Sequence, residues 1–151
     1  MPRKLTTKRA VTARKQGKAP TTQAGEFVRE EIEEIRAGEH GARSTKQAIA
    51  IGLSKARRAG VKLALPKKGK VKDSTRKKAI RDSEKGQQKR PTKVSKKRSD
   101  AATKALKREG RAAASKSALS RQARTAAKQR TPAQRSAAAR KAARTRAALS
   151  K

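Results

Sequence analysis

Large apolar side chains recur at helical spacing in only two short stretches of this chain. In the first, Glu26-Phe27-Val28-Arg29-Glu30-Glu31-Ile32-Glu33-Glu34-Ile35-Arg36, residues Val28, Ile32 and Ile35 share one face and Phe27 lies on its flank, which predicts an amphipathic helix. Glu26 suits the positive helix start, Arg36 suits the negative end, and Gly38 is the stop. In the second, Ala48, Ile49, Gly52, Leu53 and Ala56 form the stripe of a helix over residues 46–59. Ser44, followed three residues later by Gln47, makes a capping box in which Gln47 reaches back to the cap residue. Gly60 supplies a left-handed stop onto which Val61 packs. With only residues 39–43 between them, the two helices predict a helical hairpin over residues 26–65.

The hairpin's apolar stock is Phe27, Val28, Ile32, Ile35, Ile49, Leu53, Leu63 and Leu65, less than a stand-alone domain usually buries. Ile51 falls off the main stripe. It reads either as a single tolerated exposed residue or as a contact for self-association or a partner.

Elsewhere the pattern disappears. Residues 1–25 hold seven basic side chains and no acid, which predicts a disordered basic arm. Residues 66–99 hold fifteen basic groups and three acids, interrupted by Gly69, Gly86 and Pro91, and predict a polybasic disordered linker with at most a transient helix near residues 74–83. Residues 100–151 turn to Ala, Arg and Lys. Ser99-Asp100 caps a helix to about Glu109, Gly110 interrupts, residues 112–129 form a second helix-prone stretch, and Thr131-Pro132-Ala133-Gln134 opens a third to about Leu149. In that last stretch Arg135, Arg140, Lys141, Arg144 and Arg146 are spread around the helix, leaving no broad apolar face. The expected fold is therefore mostly disordered with α elements: a short helical hairpin, an Ala/Arg/Lys-rich helical tail, and no sheet.

Charge decides the partner class. Forty-five Lys and Arg against eleven Asp and Glu give a formal net charge of +34, and six of the acids fall within residues 26–39. Such a chain repels itself unless a polyanion neutralises it, so the expected partner is nucleic acid, held by counterion release from phosphates. The candidate phosphate contacts are Lys67, Lys68, Lys70, Arg76, Lys77, Lys78, Lys96, Lys97, Arg98, Arg140, Lys141, Arg144 and Arg146. DNA is favoured over RNA, with RNA or ribosome association, or a hairpin that recruits a partner, as the alternatives. The first helix of the hairpin is too acidic, and lacks the third supporting helix, for a sequence-reading helix-turn-helix. An anionic membrane is disfavoured, because the tail offers Ala and Leu149 rather than large apolar anchors.

Enzyme chemistry finds few residues. There is no cysteine, and His40 is the single histidine, placed between Glu39 and Gly41 in the linker, where it reads as solvent-exposed and not as a metal ligand. Glu30, Glu31, Glu33 and Glu34 read as a solvated helix face, and no phosphate-cradling glycine loop is present. No cofactor, no metal and no small-molecule substrate are expected.

The stretch Arg43-Ser44-Thr45-Lys46-Gln47-Ala48-Ile49-Ala50-Ile51-Gly52-Leu53-Ser54-Lys55-Ala56 resembles the Lys-Gln-Ala-Ile-Ala-Ile-Ala-Leu-Ser-Glu-Ala signature of a family of small basic bacterial proteins of unknown function, departing from it at Gly52 and Lys55. The resemblance implies a bacterial cytoplasmic protein and carries no activity with it. The Lys/Ala/Arg tail is similar in composition to those of linker histones and bacterial histone-like proteins. Together with the charge, this leads to the expectation of a nucleoid protein that binds and compacts DNA without reading sequence.

Overall fold

The computed structural model describes residues 2–88 and 95–149, with the side chain of residue 149 left aside. Among the described residues are seven α-helices and no sheet, and 74% of them are helical. The chain is thus not mostly disordered, contrary to the sequence expectation. It divides into two compact units, Met1–Ser115 and Lys116–Lys151.

The first unit contains α1 (Lys4–Lys15), α2 (Pro20–Ala37), α3 (Thr45–Arg58), α4 (Asp73–Gln87) and α5 (Lys96–Lys107), followed by a 3-10 turn at Ala112–Ala114. Helix α2 packs against both α1 and α3, and α3 packs also against α4. The supposed basic arm is α1 and the start of α2. Small residues explain why: Thr6, Ala10 and Ala13 recur at helical spacing and are buried, which lets α1 approach α2 without large side chains. Pro20 at the first helical position starts α2 six residues ahead of Glu26.

The core gathers Ala10, Ala24, Phe27, Ala56 and Val61, with Leu53 and Leu63 packed on it. Ile32 and Ile35 are also buried, whereas Val28 and Ile49 are half-buried and Leu65 is 41% exposed, so Leu65 is not a core residue. Gly52 matters here because a Cβ at that position would lie 2.6 Å from Val28 Cα; the crossing of α2 and α3 is a backbone approach that alanine would obstruct.

The predicted helix ends are largely present. Gly38 (φ +82°) and Gly60 (φ +85°) adopt the left-handed conformation, and Val61 N–H donates to Ala56 O at 3.1 Å while its side chain is buried. Ser44 Oγ accepts from Gln47 N–H at 3.2 Å, but Gln47 Oε1 accepts from Arg43 N–H at 2.8 Å, one residue upstream of the expected partner.

The polybasic linker is corrected in the same way as the arm. Residues Asp73–Gln87 are α4, an element without large apolar stripes that seats Ala79 and Asp82 against α3. Gly86 does not break it; it lies in the last turn, where the absence of a Cβ allows the backbone of Arg57 to pass closely. Pro91 lies outside the described residues. Helix α5 begins at Lys96, ahead of Ser99-Asp100, and Ser95 provides no side-chain cap bond. Its end is tied to the α2–α3 linker: Gly41 N–H donates to Leu106 O at 2.9 Å and Ala42 N–H to Gly110 O at 3.1 Å.

The second unit contains α6 (Lys116–Lys128) and α7 (Pro132–Leu149). At the head of α7 Thr131 and Gln134 exchange the reciprocal capping bonds, 3.1 and 3.3 Å, that the sequence predicts. Residues 132–148 are exposed at every position, as expected for a helix whose arginines point in all directions.

Candidate nucleic-acid interface and the acidic centre behind it

The acids of α2 do not form a solvated face. Buried positions Gln23, Ala24, Phe27, Glu30, Glu31, Glu34 and Ile35 follow the three-and-four spacing of a helix, so Glu31 lies on the buried stripe itself. Glu30, Glu31 and Glu34 are 3%, 0% and 7% exposed. Only Glu33 of the four points outward, paired with Arg29 at 2.9 Å.

Each inward carboxylate meets a cation or a backbone donor from another element. Lys55 Nζ, from α3, lies 2.7 Å from Glu34 Oε2 and 2.7 Å from Glu31 Oε2; the contact to Glu34 has hydrogen-bond alignment, and that to Glu31 is an ion pair without it. Arg3 approaches Glu34 at 3.8 Å, also pairs with Glu39, and its N–H donates to Glu30 Oε1 at 2.6 Å, so a carboxylate caps the start of α1. Farther along α3, Ser54 Oγ and Arg58 Nε donate to buried Asp82 of α4 at 2.6 and 2.8 Å. Burial opposes the charge of Glu34, but Lys55 outweighs it and holds the carboxyl below its ordinary range. Burial likewise opposes the charge of Lys55, yet Glu31 and Glu34 raise its proton affinity above the usual lysine value.

His40 also departs from expectation. Its side chain is only 15% exposed, and Nε2 stands 3.5 Å from both Glu31 Oε1 and Glu34 Oε2. Beside it opens a cleft of about 670 Å³ lined by Ala37, Gly38, Glu39, His40, Lys107, Glu109, Gly110 and Arg111.

The predicted phosphate contacts lie outside this centre. Lys67, Lys68 and Lys70 are exposed on the α3–α4 connection, Lys77 and Lys78 on α4, Lys96, Lys97 and Arg98 on α5, and Arg140, Lys141, Arg144 and Arg146 on α7. Arg76 differs, being half-buried with its Nε fully enclosed. These cations are spread over four elements. Ile51 is half-buried on α3, not an exposed apolar residue.

Sequence reasoning missed Arg3, Glu31, Glu34, Lys55 and Asp82. The available signal was Glu31 standing four residues after Phe27, at a position that continues the apolar stripe. Comparison with known protein families, with curated proteins and with solved structures gives no match for this chain. Among the described residues no helix is long and apolar enough to cross a membrane.

Proposed function

We propose that this protein binds nucleic acid by neutralising phosphates without reading sequence, takes duplex DNA in preference to RNA, and compacts it, as a histone-like protein of a bacterial cytoplasm and nucleoid would. One observation carries the reading: four of the eleven acids are buried, while twelve of the thirteen singled-out cations are exposed. A chain of net charge +34 that also buries Glu30, Glu31, Glu34 and Asp82 presents phosphate with a surface on which cations far outnumber acids.

The preference for duplex follows from the lone aromatic. Single-stranded RNA is read largely by stacking unpaired bases on aromatic rings, and Phe27 is completely buried. Backbone contact remains as the mode of binding, and it positions a protein without specifying sequence.

The test is a salt titration of the full chain on scrambled DNA duplexes and on single-stranded and double-stranded RNA of equal length. With six to ten phosphates neutralised, affinity should fall by about 10³ to 10⁵ fold between about 50 and 200 mM salt and be indifferent to base order. A shallow slope, or one duplex strongly preferred over its scrambled forms, sinks the mechanism. Tighter binding to RNA of either form transfers the function to RNA.

A further inference from the structure

From the disposition of His40, Glu31 and Glu34 we infer that this protein carries a site for a divalent transition metal of the zinc class. The three residues come from α2 and the α2–α3 linker, and their nearest ligand atoms all lie within 4.8 Å of one another.

The tautomer of His40 makes the site more than a cluster of acids. His40 Nδ1 stands 3.1 Å from Gly41 O, and because a carbonyl only accepts, Nδ1 is the nitrogen that donates. In the neutral ring Nε2 then carries a lone pair, and that lone pair faces two carboxylate oxygens 3.5 Å away. Glu34 Oε2 already takes the Lys55 ammonium at 2.7 Å, while Nε2 and Glu31 Oε1 face each other at 3.5 Å, a pairing of two acceptors that a further cation would relieve. A ring N–H held by a backbone carbonyl is also the usual orienting contact of a metal-bound histidine.

Glu31 supplies an independent observation. It is fully buried, and its Oε1, the oxygen facing His40, meets no hydrogen-bond donor among the described residues. A buried carboxylate oxygen left in this way is costly unless it binds a cation. Lys55 serves the other oxygen, Oε2, and does not satisfy this one.

Spacing and charge agree with that assignment. Two ligands held tetrahedrally at about 2.0–2.1 Å from zinc stand roughly 3.3 Å apart, close to the separations of Nε2 from its two carboxylate neighbours. The two carboxylates beside His40, Glu31 and Glu34, share the one ammonium of Lys55 at 2.7 Å, with Arg3 farther off at 3.8 Å from Glu34. One imidazole and two carboxylates favour zinc or cobalt over magnesium or calcium, which take oxygen ligands alone. His40 also lines the cleft, so water can reach that side of the triad and would complete the coordination of a bound ion.

The test is a Co²⁺ titration of the full chain after chelator treatment and removal of bound nucleic acid, read by visible ligand-field absorption and by competition with Zn²⁺. One equivalent should bind saturably with the intense bands of four- or five-coordinate cobalt, and Zn²⁺ should displace it. His40→Ala should weaken binding by about 100-fold or more, a loss that outer-shell changes alone can reach. Glu33→Ala, which removes an exposed acid of the same helix, should leave it unchanged. Circular dichroism checks that each variant is folded. Should His40→Ala melt, the wild-type chain decides the matter, since its single histidine must show cobalt-shifted imidazole resonances. Absence of a saturable stage, cobalt binding equal in His40→Ala and wild type, equal loss in Glu33→Ala, or unshifted imidazole resonances would each overturn the site.

Discussion

Lys55 on α3 donates a 2.7 Å hydrogen bond to Glu34 on α2, and the same ammonium lies equally close to buried Glu31. One cation thereby joins two carboxylates across the helix crossing that forms the centre of the first unit. The neighbouring backbones are close as well, because Gly52 occupies the same helix as Lys55 and faces Val28.

Replacing Lys55 with Met keeps the aliphatic stem and removes the charge, stranding two carboxylates in the interior. Breaking a buried pair in this way should cost about 3–5 kcal/mol. Urea unfolding of the single variant measures it, and a loss below about 1 kcal/mol would mean that water, not Lys55, solvates the pair.

Gly52→Ala adds one methyl where the backbone of α2 already passes. The expected destabilisation is about 1–3 kcal/mol from overpacking. An equally stable variant would show that α2 and α3 separate at no cost, and thermal denaturation distinguishes the two outcomes.

Asp82 holds α4 through Ser54 and Arg58. Asp82→Ala should remove roughly 1.5–3 kcal/mol, the value of hydrogen bonds to a charged group, and the loss should be local. Amide exchange checks this: protection should fall across residues 73–87 while residues 20–37 keep theirs. Uniform loss would show that α4 and the core unfold together.

Changing Arg140, Lys141, Arg144 and Arg146 together to Ala removes exposed charges from α7 and buries nothing new. If all four meet phosphate, the slope of log affinity against log salt should shrink by up to about 3.6, at roughly 0.9 per contact. Fluorescence anisotropy with labelled duplex over a salt series gives that slope. An unchanged slope would move the phosphate contacts away from these four residues of α7.

How much was legible in the chain depended on which physical signal each element used. Helix ends announced themselves locally: Gly38 and Gly60 stop α2 and α3, and Thr131-Pro132 with Gln134 opens α7. Helix α1 gave no such warning and α4 only the suggestion of a transient helix near residues 74–83, because they pack through Ala10, Ala13 and Ala79 and through the carboxylate of Asp82, none of which stands out in a search for large apolar residues. The acidic centre was hidden for a related reason. Glu31 and Glu34 look solvated until Lys55, more than twenty residues later, and His40, from a glycine-flanked linker, are brought beside them in space.

The inward carboxylates have a thermodynamic consequence. When the chain unfolds, Glu30, Glu31, Glu34 and Asp82 are released from their partners and return to the neighbourhood of the lysines and arginines, where they compete with phosphate for the same cations. The folded state is therefore the better ligand for a polyanion, and by mass action the polyanion stabilises whichever state binds it more tightly. Duplex DNA should raise the melting temperature of the first unit even where it touches no residue of the core.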